Sequence, residues 1–314
     1  MHAIALDALR TRPQHMELPV PVARARQVLV RLEASGVNPI DWRIGDGEFE
    51  GRLPHVFPLV LGVDGAGVVE AVGRGVQRFK IGDRVVGRFL FGYVGGGSYA
   101  EYAAVHEDAV LTTYPASLGP GCAAALPTAG ITALQLSRRL DLAPGSKVLI
   151  VGATGGVGMF LIQLAVMKGL RVIATAAPDA HAHLRALGVA ALIDYRAQPV
   201  VEWLDGHFVN GVDGLVDLVS EAPVFAQHVE HVRAGGIALS TVGAARENEL
   251  ASCWIRGGNF EVNPTTKDLA IVLTAVASGQ MKVEVEREVP LAQALIALEA
   301  SRTGGARGKT VIVM

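Results

Sequence analysis

Residues 148 to 169, VLIVGATGGVGMFLIQLAVMKG, pass from an apolar run through a glycine cluster into a second long apolar run. Few folds can use such a stretch. Glycine inside a strand or helix weakens it, so a cluster between two buried segments marks a tight turn or a backbone pressed close against something. The stretch predicts a strand over 148–151, a turn, and a helix beginning near Val157. The alternation then continues, with RVIATA, ALIDY, GLVDLVS, GGIALSTVG and GNFEVN separated by helical segments. Strands alternating with helices build parallel units with right-handed crossovers, and six of them complete a dinucleotide-binding sheet.

The chain on either side has a different texture. Residues 1–117 hold short Val- and Gly-rich runs such as QVLVRLEASGV, GAGVVEAVG and GDRVVGRFLF between turn residues, which predicts an all-β segment of many short strands. Residues 263–314 predict a helix (KDLAIVLTAVASG), a strand (KVEVEREV), a helix (LAQALIALEAS) and a closing strand (KTVIVM). A chain of 314 residues is longer than one core usually grows to, so two domains are expected, one of them discontinuous. The expected division is 1–117, an α/β segment at 118–262, and a return to the first domain at 263–314.

Composition removes several classes of function. Half of the residues are hydrophobic and 18% are charged, which suits a large buried interior and excludes disorder as the theme. A formal net charge of -2 and the absence of any polybasic run leave no footprint for nucleic acid. MHAIALDALR is charged within its first ten residues, and the longest apolar runs contain Gly, Gln or Lys, so neither a signal peptide nor a membrane anchor is expected. Cys122 and Cys253 lie far apart and make no metal-spaced pair. They are expected to be small core residues of a cytoplasmic protein.

The glycine cluster has a chemical reading. In GATGGVG, Gly152, Gly155 and Gly158 stand three apart between strand and helix, with Ala153, Thr154, Gly156 and Val157 completing the loop. A pyrophosphate must approach the backbone N–H groups at a helix N-terminus, and side chains there would block it. The spacing is a variant of G-x-G-x-x-G, with Ala153 at the first glycine position; the alternative is a turn that merely packs a helix on a strand. Selectivity follows from the second strand. An NAD site places a carboxylate about 20 residues past the fingerprint, whereas RVIATAAPDAHAHLR offers Thr175, Ala176 and Ala177 and no acid until Asp179. A 2′-phosphate is tolerated there, so NADP(H) is favoured. His181 and Arg185 can supply positive charge to it or simply solvate a helix face.

The motifs ASGVNPIDWRIGDG (34–47), LGVDGAGVVEAVG (61–73), FKIGDRVVG (79–87), GGGSYAEYAAV (97–105), AAALPTAGITA (123–133), GATGGVGMFLIQLA (152–165) and RGKTVIV (307–313) together resemble the zinc-independent quinone oxidoreductases, relatives of zeta-crystallin in the medium-chain dehydrogenase/reductase superfamily. The resemblance implies an α/β protein with a GroES-like β domain from both chain ends, an inserted Rossmann domain, and a homodimer. It places Val37 and Asn38 where the zinc enzymes carry a cysteine region, and Gly62, Val63 and Asp64 where they carry Gly-His-Glu. No cysteine loop exists for a structural metal. His228 and His231, three apart, are expected on a surface helix, and His181 and His183 point apart. No metal is expected.

Without zinc, the negative charge that hydride transfer builds on a remote oxygen needs a protein donor, and solvent can return the proton. The resemblance puts Asn38 at the cleft, its amide able to donate to ribose or substrate; the alternative is an Asn-Pro turn at a strand end. Asp41 is expected as an orienting acceptor. Many family members carry Tyr or Lys just beyond this Asp, where this chain has Trp42 and Arg43. Arg43 can stabilise an enolate or clamp an anion but cannot give up a proton. Tyr93, in FLFGYVGGG, is either a donor on a mobile loop or an exposed tyrosine without a task. By the same resemblance Thr128 and Thr132 pass the nicotinamide and Tyr195 stands near the adenosine phosphate; the threonines could equally cap a helix. Gly243 follows the fifth strand, at the end of the sheet where open α/β folds bind ligands.

The expected activity is NADPH-dependent hydride transfer to a small-molecule quinone or α,β-unsaturated carbonyl. Two alternatives remain: an enoyl-thioester or polyketide-tailoring reductase, and a non-catalytic NADPH-binding protein. The homodimer is expected through the strand GGNFEVN at a sheet edge, with Phe260 in the contact; the alternative is an edge covered by a helix.

Overall fold

The computed structural model describes residues 1–314 and divides into two compact units, one made of Met1–Ile131 with Pro264–Met314 and the other of Thr132–Asn263. The first unit opens with β1 (His2–Leu6), β2 (Gln14–Glu17), β3 (Gln27–Gly36) and the short helix α1 (Pro39–Gly45). There follow β4 (His55–Val60), β5 (Asp64–Val72), β6 (Arg84–Arg88), β7 (Val94–Gly96), β8 (Tyr102–His106) and β9 (Leu111–Thr113). Next come α2 (Pro120–Ala124) and α3 (Pro127–Leu140), and the passage between the units falls inside α3 rather than at residue 118. Residues 120–124 stay with the β-rich unit because α2 packs on β3 and β5.

The second unit alternates without interruption. Its elements are β10 (Lys147–Val151), α4 (Gly156–Met167), β11 (Arg171–Thr175), α5 (His181–Ala186), β12 (Ala191–Ile193), α6 (Val200–His207), β13 (Val212–Asp217), α7 (Ala222–Val229), β14 (Val232–Ser240), α8 (Glu247–Ser252) and β15 (Arg256–Asn259). The sheet is parallel throughout, in the order β12-β11-β10-β13-β14-β15. Its strand order therefore reverses between β10 and β13, the position where such sheets bind nucleotides. Leu149, Ile173, Leu215 and Phe225 are among the core residues on the sheet.

The chain returns to the first unit with α9 (Thr266–Ala277), β16 (Val285–Pro290), α10 (Ala294–Thr303) and β17 (Lys309–Val313). One sheet of that unit runs β2-β1-β4-β7, and the larger runs β16-β17-β3-β5-β6-β9 with β8 also on β3. Both chain ends thus meet in one sheet, where β17 pairs with β3 antiparallel.

Four sequence expectations need correction. The first 117 residues are not all β, because Asn38 is the N-cap of α1 instead of a bare turn residue, with Pro39 at its first position. His228 is not on the surface but 4% exposed, drawn in by Asp217. Cys253 is exposed and Cys122 only partly buried, so neither is a closed core residue. The sixth strand is Arg256–Asn259, and Phe260 lies beyond it.

Candidate functional site

In the second unit the backbone leaves β10 through Gly152 at φ +82° and reaches α4 at its N-cap Gly155. The three spaced glycines are required for different reasons. Gly152 has a left-handed conformation, and a Cβ there would stand 2.8 Å from the Val219 side chain. At Gly158 a Cβ would fall 2.5 Å from the carbonyl oxygens of both Gly152 and Ala153, so the helix can approach the turn only without one. At Gly155 the nearest atom is 3.6 Å away, so the fold itself would accept a methyl group there. What Gly155 leaves open is the mouth of the cradle.

No side chain caps the first turn of α4. Its N–H groups are therefore free for an anion, and the helix dipole favours one. Ala153 is fully buried, while Thr154, Gly155, Gly156 and Val157 are partly exposed. The residues present fit the pyrophosphate of a dinucleotide.

The end of β11 carries small and uncharged residues. Thr175 is 5% exposed and its hydroxyl accepts from the Gly152 N–H at 3.4 Å, while Ala176 and Ala177 are buried. His181 donates through Nε2 to the Ala176 carbonyl at 3.0 Å, which fixes the imidazole beside the strand end. Arg185 is exposed on α5, Tyr195 is 51% exposed with Arg196 against its ring, and Gly243 turns at φ +79° after β14.

The sequence did not single out Asp217. Its buried carboxylate, at the end of β13, accepts from Val219 N at 3.1 Å, Ser220 N at 2.8 Å and His228 Nδ1 at 3.1 Å. Burial pushes this carboxyl up, but His228 and the two backbone donors outweigh it and hold the group below its ordinary value.

In the first unit a buried polar cluster surrounds Asn38, which is 2% exposed. Its amide donates to Asp64 Oδ2 at 2.9 Å and to the Gly36 carbonyl at 3.2 Å, and its carbonyl oxygen accepts from Lys309 Nζ at 2.5 Å. Both amide hydrogens are engaged within the protein, so the donor expected for a ligand is used internally. Asp41 accepts from Asn38 N at 2.7 Å, Val63 N at 2.9 Å and Tyr99 Oη at 2.7 Å. It is an acceptor that joins the start of α1 to Val63, just before β5, and to Tyr99, between β7 and β8. Asp64 also accepts from Thr128 N at 2.9 Å and Thr128 Oγ at 2.7 Å, which ties the start of α3 to β5. Thr132 lies further along the same helix and is 8% exposed.

Charges are costly at this depth. Burial raises the Asp41 carboxyl to about 7, opposed by the Tyr99 and Asn38 hydrogen bonds and by Lys309, and reinforced by the charge of Asp64. Burial lowers the Lys309 ammonium against the pull of Asp64 and Asp41, and it drives the Tyr99 phenol well above its ordinary value. Lys309 lies in the motif RGKTVIV and opens the apolar strand KTVIVM, but neither pattern marked it as a partner of Asn38.

Arg43 and Tyr93 do not join this cluster by any hydrogen bond. Arg43 lies 5.4 Å from the centre of the Trp42 ring, which Arg302 also approaches at 5.0 Å. Tyr93 lines a cavity of about 290 Å³ with Phe89, Phe91, His106 and Gln27. No group of three or more His, Cys, Asp or Glu side chains can hold a metal ion, and Val37 and Val63, which the resemblance places where zinc enzymes carry ligands, are buried and apolar. The residues do not fit a zinc ion, although part of the chain matches a family described by one.

A parallel sheet with a side-chain-free phosphate cradle, joined in sequence to a β-rich unit closed by both chain ends, defines a two-unit nucleotide-dependent oxidoreductase. The chain matches the alcohol dehydrogenase GroES-like domain over residues 24–115 and the zinc-binding dehydrogenase family over 187–312. It is 31% identical to a chloroplast envelope quinone oxidoreductase homolog of Arabidopsis thaliana, covering 95% of this chain and 93% of that protein. It is 30% identical to the NADPH-dependent alkenal/one oxidoreductase of the same plant, covering 93% and 73%. The solved quinone oxidoreductase of Coxiella burnetii superposes with a TM-score of 0.88 at 31% identity, over 100% of this chain and 99% of that one. The chain belongs to the quinone oxidoreductase family of the medium-chain dehydrogenase/reductase superfamily.

Proposed function

We propose that the protein transfers hydride from NADPH to a quinone or an α,β-unsaturated carbonyl, without a metal. The observation that carries this reading is the pairing of the cradle at 152–158 with a β11 end that offers Thr175, Ala176 and Ala177 and no carboxylate. The relative named as NADPH-dependent and acting on alkenals and alkenones supports it. When bound, the cofactor supplies the hydride; the remaining tasks fall to this chain. The N–H groups of the first turn of α4 receive the pyrophosphate, and Thr175 and His181 shape the edge that meets the 2′-phosphate. In the first unit, Asp41, Asp64 and Lys309 fix the backbone around Asn38, so that Asn38 acts as a positioning residue. Solvent supplies the proton that completes reduction.

The test is the decay of reduced-nicotinamide absorbance when a panel of quinones and enones is added with NADPH, run beside NADH. Faster decay with NADPH is expected. Tight NADPH binding without decay for any acceptor would overturn the reading in favour of a binding role.

We infer further that the protein is a homodimer in a reducing compartment. The strand β15 is the last of its sheet, and Trp254 just before it is 80% exposed. Such an edge is protected when it meets its own copy across a two-fold axis. Trp254→Glu should shift the elution volume toward the monomer, and an unchanged volume would count against this edge. The exposed, unpaired thiol of Cys253 supports the compartment.

A further inference from the structure

Arg88 ends β6 directly opposite Asp64 of β5 in the antiparallel register. Residues opposed in this way project to the same face, so the guanidinium lies on the side of the sheet that carries the Asn38 cluster. Its Nε is buried with no acceptor in reach, and no ion pair or hydrogen bond of the protein engages the guanidinium. The residue as a whole is only partly buried.

Three other arginines of this unit find acceptors for their terminal nitrogens, although the Arg84 Nε, like that of Arg88, is buried without one. Arg78 donates to the carbonyls of Glu107 and Leu111, Arg26 pairs with Asp108, and Arg84 donates to Tyr114 and Leu118. Burial pulls the Arg88 guanidinium below its ordinary value, against two nearby carboxylates, Asp64 and Asp41, that favour its charge. Neither turns an oxygen to it, because Asp41 and Asp64 direct theirs to Asn38, Val63, Tyr99 and Thr128. An arginine does not readily shed its charge, and a partly desolvated cation without a partner in the protein is unfavourable until an anion meets it.

We propose that Arg88 is the oxyanion-binding residue of the acceptor site, its guanidinium receiving the carbonyl oxygen of the quinone or enone. This rests on the proposed function and assigns to Arg88 the role that the sequence suggested for Arg43. In an enone, hydride and its electron pair add at the β-carbon, the C=C pair shifts to form the enolate, and the negative charge arrives on the oxygen held by Arg88. NADPH is oxidised to NADP⁺, water protonates the α-carbon, and the guanidinium keeps all its protons. In a quinone the same charge appears as the phenolate of the hydroquinone. A planar fork of fixed donors that is stronger toward an oxyanion than toward a carbonyl lowers the barrier rather than only binding substrate.

The test uses 4-nitrophenol as an oxyanion probe on the cofactor-free full chain, with turnover as a second readout. The wild type should bind the phenolate, shifting its visible absorbance and the apparent pKa of the bound phenol downward. Arg88→Gln should lose that shift and Arg88→Lys retain part of it. In turnover, Arg88→Gln should lower kcat/KM for the acceptor about 10²- to 10³-fold with an unchanged NADPH dissociation constant, and added guanidinium should restore part of the activity of Arg88→Ala. Equal probe binding and equal turnover in folded Arg88→Lys and Arg88→Gln would overturn the proposal. So would weakened NADPH binding with intact probe binding, since the anion would then be the cofactor's phosphate. If the wild type reduces no acceptor, the proposed function fails, and probe binding alone decides the role of Arg88.

Discussion

Asp41 shows how a single residue can set the pH response of the fold. Its carboxyl, pushed to about 7 from an ordinary 3.8, keeps a proton in the folded state that the unfolded chain has already released. Stability is therefore greatest below the unfolded value and is lost as pH rises toward about 7, with a slope of up to about 1.4 kcal/mol per pH unit. The carboxylates held low, Glu50, Glu107, Asp108, Asp213 and Asp217, act in the opposite sense and only below their ordinary values, so they leave the window above about pH 5 to Asp41. Urea unfolding between pH 5 and pH 8 should show this decline in the wild type and a flatter profile in Asp41→Asn. The variant should also be about 1–3 kcal/mol less stable, because an amide cannot accept all three donors. A decline that persists in the variant would assign the titration elsewhere. The sequence exposed Asn38 and Asp41 through their motif but not their partners. Lys309 stands 271 positions from Asn38, and Tyr99 stands 58 from Asp41, separations on which periodicity and spacing are silent.

At the scale of elements, the turn between β10 and α4 separates what folds the cradle from what binds in it. Gly158→Ala would drive a methyl group against two backbone carbonyls, and since backbone cannot swing aside, a loss of about 1–3 kcal/mol in stability is expected. Gly155→Ala meets nothing closer than 3.6 Å at φ -70°. The unfolding midpoint should hold or rise slightly, while the methyl in the cradle weakens NADPH about tenfold, an amount of about 1.4 kcal/mol. Thermal unfolding together with NADPH fluorescence titration separates the two effects; equal NADPH affinity in Gly155→Ala would argue against phosphate at this turn. Strand, turn and helix were legible here because apolar runs and glycines coincide with them. The strand β15 was misplaced because NFEVN alternates like a strand while RGGN does not. The pairing nevertheless uses the glycines, since a Cβ at Gly257 would lie 2.0 Å from the Ala238 carbonyl oxygen. Likewise α1 was missed although Asn38, Pro39 and Asp41 spell a helix start.

At the scale of the whole molecule, the first unit depends on residues that the chain supplies last. In the seven-stranded sheet, β17 is the link between β16 and β3, and it buries Lys309, Val311 and Ile312. Its Lys309 also holds the Val37 carbonyl at 2.6 Å and the side chain of Asn38. Removing residues 309–314 would leave β16 without its neighbour, open the edge of β3, and unfasten the polar cluster at once. Losing a buried cation from among carboxylates leaves their charge uncompensated, a penalty of several kcal/mol, comparable with the margin by which a domain is stable. The second unit contains none of these residues, and its sheet closes entirely within 132–263. Its discontinuous partner was foreseeable from the change of texture near 117 and 263, but the passage inside α3 was not, since a helix that belongs to both units leaves no break in pattern. The truncated chain should therefore unfold in two separate steps, and limited proteolysis should leave a resistant fragment spanning about 132–263 while the first unit is degraded. A truncated chain that resists as well as the full one would show that β17 is dispensable. Complete degradation would show that the second unit does not stand alone, and either outcome would refute this account of how the chain is divided.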